Sequence, residues 1–559
     1  MTPHSSESSR EADSSTALSS EDQDCTGNDN NKTMKVAQFV VEPDNDIFRG
    51  NIAAKAANDH EQTMSTKYAL KYYSIAMAWA AVMAAPIIME AYETAMVPTF
   101  FSYRAFQCKY GLRNDETGDC YIPTGWQSGI TMAASSGQLA GLYMAPHIVN
   151  RMGYRICSVA GFISAALCLM IGFWSMDTDR ALAVFLIGEM LLGVPWGMFQ
   201  GITLPYVSDI TPLKLKGPAT TMINVFWLVG QMASAGVVSG ASAMSSREWS
   251  IKTPMIIQYA WLVPLVALVL MAPDSPFYLS RNGQDGQARA TLRRLNKDPV
   301  FDADGALAMI SAINRHEEKT STDMGLTECF RGINLRRTEI AVISYVTQQW
   351  VGTPLMFYSV KVLQKGGLSQ ASSLRLTIGM YALCIVSTVA SMGAMRFWGR
   401  RNLWLGGLAG EITCLSIIGT LSFFLGEDDG KKTGVPWAIA AFLILYAAIY
   451  NFTIGPLCYT IVAEMPATRL KAATNSLSRF IYLIFAMTNL YLVPNLLEGA
   501  PVGWGLGTRA ALVWAGSATA CLIWAFFRLP ETKDRTPAEV DVLFERKVRA
   551  RNWSRAVVV

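Results

Sequence analysis

The chain has 559 residues, 51% of them hydrophobic and only 16% charged, with a mean hydropathy of +0.25 and a formal net charge of +4. Soluble domains carry about 25% charged residues, so this deficit excludes a disordered protein, a nucleic-acid coat and an ordinary water-soluble enzyme of this length. A charge of +4 is also too small to call for a polyanionic partner. The apolar excess has to be buried, and at about 20 residues per membrane span, twelve spans use roughly 240 residues, under half of the chain.

In chain order, residues 1–65 open on SSESSREADSSTALSSEDQD, a Ser- and acid-rich stretch that predicts a disordered tail extending to the first span, residues 1–72. It lacks the short apolar core of a secretory signal, so insertion falls to the first span. Apolar segments follow at 73–100, 126–148, 153–176, 181–206, 217–241 and 254–273, a first bundle over 73–273. A second set at 338–361, 373–396, 402–425, 435–463, 472–496 and 506–528 makes a second bundle over 338–528. Gly193, Pro195 and Gly197 fall inside the fourth segment, a composition that packed membrane helices accept and soluble helices do not. Between the bundles, residues 274–337 mix ten Lys/Arg with nine Asp/Glu, and QDGQARATLRRL predicts a short amphipathic helix there. Lys/Arg counts in the short loops are nearly a tie. The basic tail 529–559, with Arg546, Lys547, Arg549 and Arg551, places that end in the cytoplasm, and an even number of spans puts the N-terminal tail there too.

The ten cysteines include no CxxC pair, and the four histidines do not cluster, so neither a metal site nor a cofactor is expected. Cys108 and Cys120 stand apart because they bracket the polar loop CKYGLRNDETGDC; facing an oxidising exterior, that loop is open to a disulfide.

A long-period repeat organises the chain. RMGYR (Arg151–Arg155) after span 2 recurs as RFWGRR (Arg396–Arg401) after span 8, offset by 245. SDITPLKLKG, with Asp209 and Lys216, recurs as AEMPATRLKA, with Glu464, Arg469 and Lys471, offset by 255. Pro273-Asp274-Ser275 after span 6 recurs as Pro530-Glu531-Thr532 after span 12, offset by 257. Three signatures in one order at nearly one spacing define two six-span halves in parallel orientation, the repeat plan of major facilitator transporters. The fold expected is therefore an all-α membrane protein of twelve transmembrane helices. Arg151, Arg155, Asp209, Lys216, Arg396, Arg400, Glu464 and Arg469 lie at helix ends on one side, where charges interact with helix dipoles and can latch and release the bundles as gating residues.

These segments resemble the sugar porter family of the major facilitator superfamily over residues 70–550, most closely its fungal maltose and alpha-glucoside proton symporters. The resemblance is carried by EAYETAM (90–96), GVPWGMFQ (193–200), PDSPFYL (273–279), TIGMYAL (377–383), GPLCYTIVAEMPATRLKAATNSLSR (455–479) and FFRLPETKDRTPAEVDVLFERKV (526–548).

Ionisable groups inside spans are costly unless paired or hydrated, which marks Glu90, Glu93, Glu189 and Glu411 as functional candidates. The resemblance implies that Glu93 takes the coupled proton, at a position where the family usually has Asp. Glu189 stands where many relatives place an Arg; two nearby carboxyls share a proton, so Glu189 is expected to tune Glu93. The family's double-Gln motif falls on Gln348 and Gln349, with Tyr358 following. Asn224, Asn451 and Tyr459 match further polar and aromatic positions for sugar binding. The pattern also departs from the hexose porters: Pro354 replaces a span 7 Asn, Cys384 a span 8 Asn, and Asn150 an Asp before the basic turn. The expected function is proton-coupled uptake of an alpha-glucoside by a monomer in the plasma membrane, with sugar, protons and lipid as partners and no nucleic acid. The rivals are a same-fold transporter of a hexose, polyol or secondary metabolite, and a non-transporting sugar sensor. No enzyme motif or phosphate loop occurs.

Overall fold

The computed structural model describes β1 (Gln38–Phe39) and residues 51–559 apart from 114–119, 176, 179, 322–325, 426–433, 467–469, 500–502, 534, 536 and 559. Its first helices are α1 (Ile52–Thr63) and α2 (Thr66–Tyr72). They correct the expectation of disorder as far as residue 72. Asn51 accepts from the Ala54 N–H and Ser65 from the Tyr68 N–H, so each helix is capped, and the Tyr68 hydroxyl donates to Asp298 of the middle loop. This segment is ordered by caps and docking, which its polar composition does not reveal.

The first span is α3 (Ser74–Ala84) continued by α4 (Pro86–Phe100). After it come α5 (Arg104–Tyr110) and the short antiparallel pair β2 (Leu112–Arg113) and β3 (Cys120–Tyr121). Cys108 and Cys120 are joined here by a disulfide, with Cα atoms 4.9 Å apart. Helix α6 (Thr124–Ser175) has 52 residues, about 78 Å if straight, far beyond a bilayer core of about 30 Å. It turns back at Gly153 (φ 87°, ψ 169°) and so supplies the second and third spans. The first half is completed by α7 (Ala181–Ile210), α8 (Leu213–Ala241), and α9 (Arg247–Ile256) with α10 (Gln258–Met271).

The middle loop folds as α11 (Pro276–Arg281), α12 (Asp285–Leu295) and α13 (Ala303–Ser321). The seventh span is broken into α14 (Gly332–Trp350), α15 (Pro354–Phe357) and α16 (Ser359–Lys365). Then follow α17 (Gln370–Trp398), α18 (Arg400–Leu421), α19 (Gly434–Phe452) with α20 (Ile454–Glu464), α21 (Lys471–Leu497) and α22 (Ala511–Arg528). Last come α23 (Pro537–Glu545) and β4 (Val557–Val558), which pairs in parallel with β1. Among the described residues ten helices are long and apolar enough to cross a membrane. One of these is the doubled α6, and the broken seventh span is additional, so the arrangement accommodates the twelve spans expected.

The repeat is visible in the backbone. Gly399, between α17 and α18, has φ 77° and ψ 168°, nearly the values of Gly153. The carboxylate of Asp274 accepts from the Arg155 N–H at 3.0 Å, and that of Glu531 accepts from the Arg400 and Arg401 N–H groups at 2.9 and 3.1 Å. The PDS and PET signatures thus cap the helices that start after the two basic turns, putting negative charge at helix N-termini. Asp209 accepts from Ser275 (2.6 Å) and Tyr154 (3.4 Å), while Glu464 accepts from Arg400 (3.0 Å) and from Thr532. These links hold each half together internally. Lys216 faces Glu61 of α1, whose carboxyl burial holds above its ordinary range against the opposing pull of that ammonium. Arg151 is exposed on α6. Arg396 lies in α17, but its side chain, like the whole of Arg469, is outside the described residues.

Candidate functional site

The two halves meet around a central cavity of about 840 Å³, its open mouth included. The close approach of α6 and α7 shapes one wall: a Cβ on Gly193 would strike the Ala134 carbonyl, and one on Gly197 the Gln138 carbonyl. That contact lets Gln138 of α6 and Trp196 and Gln200 of α7 face one space. The polar lining consists of Glu93, Thr94, Thr131, Ser135, Gln138, Glu189, Gln200, Gln349 and Arg479; Trp196, Trp227, Pro354, Phe357 and Tyr482 provide apolar and aromatic walls.

Glu93 and Glu189 are both buried and line the cavity wall together. Two carboxylates placed on one buried wall repel each other when both are ionised. Gln258 of α10 donates to Glu93. One turn earlier on α4, Glu90 is fully buried, and its Oε1 accepts from Gln138 (3.3 Å) and from Gln200. Gln200 in turn accepts from Arg479 of the second half at 2.5 Å. The Arg479 guanidinium lies over Tyr482, 4.4 Å from the ring centroid, and 5.8 Å from that of Tyr345. A chain of Glu90, Gln200 and Arg479 therefore joins the halves. Glu411 is buried in α18, and neither of its carboxyl oxygens has a hydrogen-bond partner.

Of the six sugar-contact candidates, the structure brings Gln349 to the cavity. Gln348 turns away and donates to the Gly455 carbonyl at 3.1 Å. Tyr358 is buried beside Thr131, and its neighbour Phe357 takes the wall. Asn224 donates across the halves to Thr388 at 3.4 Å, Asn451 to the Ala447 carbonyl of its own helix at 3.0 Å, and Tyr459 packs edge-on against Tyr345 with ring centroids 6.1 Å apart. Gln200, Arg479 and Trp227 went unnoticed in the sequence. Arg479 had a usable signal, since it is a cation inside the predicted span 472–496 and the rule that marks buried carboxylates applies equally to it.

At the disulfide-bearing end the halves are sealed. Lys361 Nζ lies 2.6 Å from Gln127 Oε1 in the other half and 2.6 Å from Glu498 Oε1. Gln364 donates to the Ser102 carbonyl at 3.3 Å. Burial would push the Glu498 carboxyl up, but the ammoniums of Lys361 and Lys365 hold it down at about 2.

Two bundles of spans enclosing a cavity with titratable groups on its wall define a membrane transporter of the major facilitator type, not an enzyme. The chain belongs to the sugar (and other) transporter family, whose model matches residues 78–544. It is 33% identical over 506 residues to the maltose permease MAL61 of Saccharomyces cerevisiae, spanning 89% of this chain and 80% of that one. It is 30% identical over 513 residues to the general alpha-glucoside permease of the same yeast, spanning 90% and 81%. Among solved structures it resembles the xylose transporter XylE of E. coli in a partially occluded inward-open conformation, with a TM-score of 0.67 at 15% identity over 83% of this chain and 100% of that one.

Proposed function

We propose that this protein is a proton-coupled importer of alpha-glucosides such as maltose, working as a monomer in the plasma membrane with both termini cytoplasmic and the disulfide end outside. The observation that carries this reading is the carboxyl pair Glu93–Glu189, which lines the same cavity as Gln349 and Arg479. The names of the yeast relatives support the substrate class.

In this mechanism the pair takes a proton on the outward-facing side, so that a wall otherwise bearing two repelling charges becomes a hydrogen-bonding surface. Gln349, Gln138, Gln200 and Arg479 supply donors and acceptors for sugar hydroxyls. Trp196, Trp227 and Phe357 supply faces for the apolar side of a pyranose ring. With Pro354 on the wall where hexose porters place an Asn, the cavity trades one polar contact for apolar surface, which suits a glycoside more than a small hexose. Rocking of the halves, with the basic turns and their carboxylates as the gating side, then exposes the site inward, where the proton leaves.

The test is uptake of labelled maltose, glucose and a polyol in a host lacking sugar transporters, with and without a proton gradient. Maltose uptake that collapses with the gradient is the expected result. No uptake of any of the three by surface-expressed protein overturns the importer reading and leaves a non-transporting sensor.

A further inference from the structure

The seventh span breaks beside the cavity, and a break inside a membrane helix frees carbonyls that lipid cannot satisfy. Here four consecutive carbonyls are each taken up by a side chain. The Gln348 carbonyl accepts from the Thr353 hydroxyl, that of Gln349 from Asn489 Nδ2 at 2.8 Å, that of Trp350 from the Ser517 hydroxyl at 2.5 Å, and that of Val351 from the Tyr446 hydroxyl at 2.9 Å. The donors outside the span come from α19, α21 and α22. Gly352, at φ 94°, passes so close to Trp514 that a Cβ would stand 3.2 Å from that residue's own Cβ.

Asn489 occupies a position that few side chains can fill. It is buried, with 4% of its surface exposed. While its Nδ2 donates to the Gln349 carbonyl, its Oδ1 accepts from Trp514 Nε1 at 3.2 Å. One partner only accepts and the other only donates, so the bridge needs a donor and an acceptor on one short side chain. Leu offers neither, and ionised Asp has no donor. The residue clamped this way is Gln349, whose side chain lines the cavity together with Tyr482.

We propose that Asn489, held by Trp514, is a positioning residue for substrate recognition: it fixes the backbone of Gln349 at the break in the seventh span and thereby aims the Gln349 amide at the sugar. The proposal rests on the reading of Gln349 as a sugar contact.

The experiment is a double-mutant cycle on maltose uptake by the full-length chain, using Gln349→Ala, Asn489→Leu and both together, with surface amount and detergent melting measured for each. Asn489→Leu is expected to raise KM about tenfold, the worth of one hydrogen bond, with the maximal rate changed far less. Once Gln349 is Ala, Asn489→Leu should add little to KM, because residues acting through one contact are not additive. Additive effects, or an Asn489→Leu variant with unchanged KM while Gln349→Ala raises it, overturn the proposal. An unchanged KM in Gln349→Ala overturns instead the reading of Gln349 as a sugar contact, and this proposal with it. Should Asn489→Leu fail to reach the surface, Trp514→Phe keeps the ring and removes the donor; it is expected to raise KM in the same direction, and an unchanged KM there overturns the clamp. Hydrogen exchange supplies a readout independent of sugar: amides of 349–353 should exchange faster in Asn489→Leu, and unchanged protection counts against the clamp.

Discussion

Lys361 of the second half donates to Gln127 of the first across 2.6 Å, and the same ammonium pairs with Glu498 at 2.6 Å. One buried cation thus closes the disulfide end between halves while being neutralised from within its own half. Lys361→Met should loosen that seal. A cysteine placed at Ser135 on the cavity wall should then react faster with an impermeant maleimide added outside intact cells; an unchanged rate counts against Lys361 as part of the seal.

Glu498→Gln leaves the Lys361 ammonium buried without its counter-charge. Breaking a buried pair costs about 3–5 kcal/mol, so a clear fall in Tm at neutral pH is expected. The Glu498 carboxyl titrates at about 2, below its ordinary value of 4.5. The stability it contributes is therefore fully present above pH 4.5 and is lost as pH falls toward 2. The Tm gap between wild type and Glu498→Gln should narrow over that window, and a constant gap counts against the charge origin of the effect.

Glu93→Gln replaces one member of the carboxyl pair with an amide that cannot release a proton. Maltose uptake should lose its dependence on the proton gradient while downhill sugar exchange persists. Glu189→Gln should shift the pH dependence without abolishing coupling. Proton uptake measured with substrate present decides this, and unchanged coupling in Glu93→Gln sinks the assignment.

Arg479 meets Gln200 at 2.5 Å and lies over Tyr482. A lysine keeps the charge but not the planar fork or the stacking. Arg479→Lys should reduce maximal uptake about tenfold or more at normal surface abundance, the loss expected for a charge-assisted hydrogen bond. Uptake near the wild-type rate would show that charge alone suffices.

Gly153 and Gly399 sit in a region of backbone space open almost only to glycine, and a Cβ on Gly399 would stand 2.5 Å from the Glu531 carboxylate. Gly153→Ala and Gly399→Ala should each cost about 1–3 kcal/mol. The two positions are in separate halves with different carboxylate partners, so the losses in melting temperature should add. A combined loss well below the sum would show that the turns are coupled.

Much of this architecture was legible in the sequence because it depends on local and periodic properties. Apolar run length marks the spans, and the basic turns with their following carboxylates mark the repeat. The break in the seventh span was only partly legible: Pro354 has no N–H for the Trp350 carbonyl and Gly352 turns at φ 94°, but the side chains from α19, α21 and α22 that collect the freed carbonyls come from distant parts of the chain. The order in residues 52–72 was hidden for a similar reason, as capping and docking against the middle loop replace apolar content there.

By itself, the sequence determined that this is a multi-span membrane protein made of two related halves, and that Glu90, Glu93, Glu189 and Glu411 are placed where water is scarce, because hydropathy and repeat spacing are properties of the chain alone. Only the tertiary structure decided which of those groups meet. Glu93 and Glu189 lie on different spans and share a wall, Glu90 reaches Arg479 through Gln200, Glu411 stands apart, and of the two adjacent glutamines only Gln349 faces the cavity. The physical reason is that a helix fixes which residues share its own face, whereas hydrogen bonding between helices depends on how their faces are rotated and packed against each other, and that is set by contacts distant in the chain.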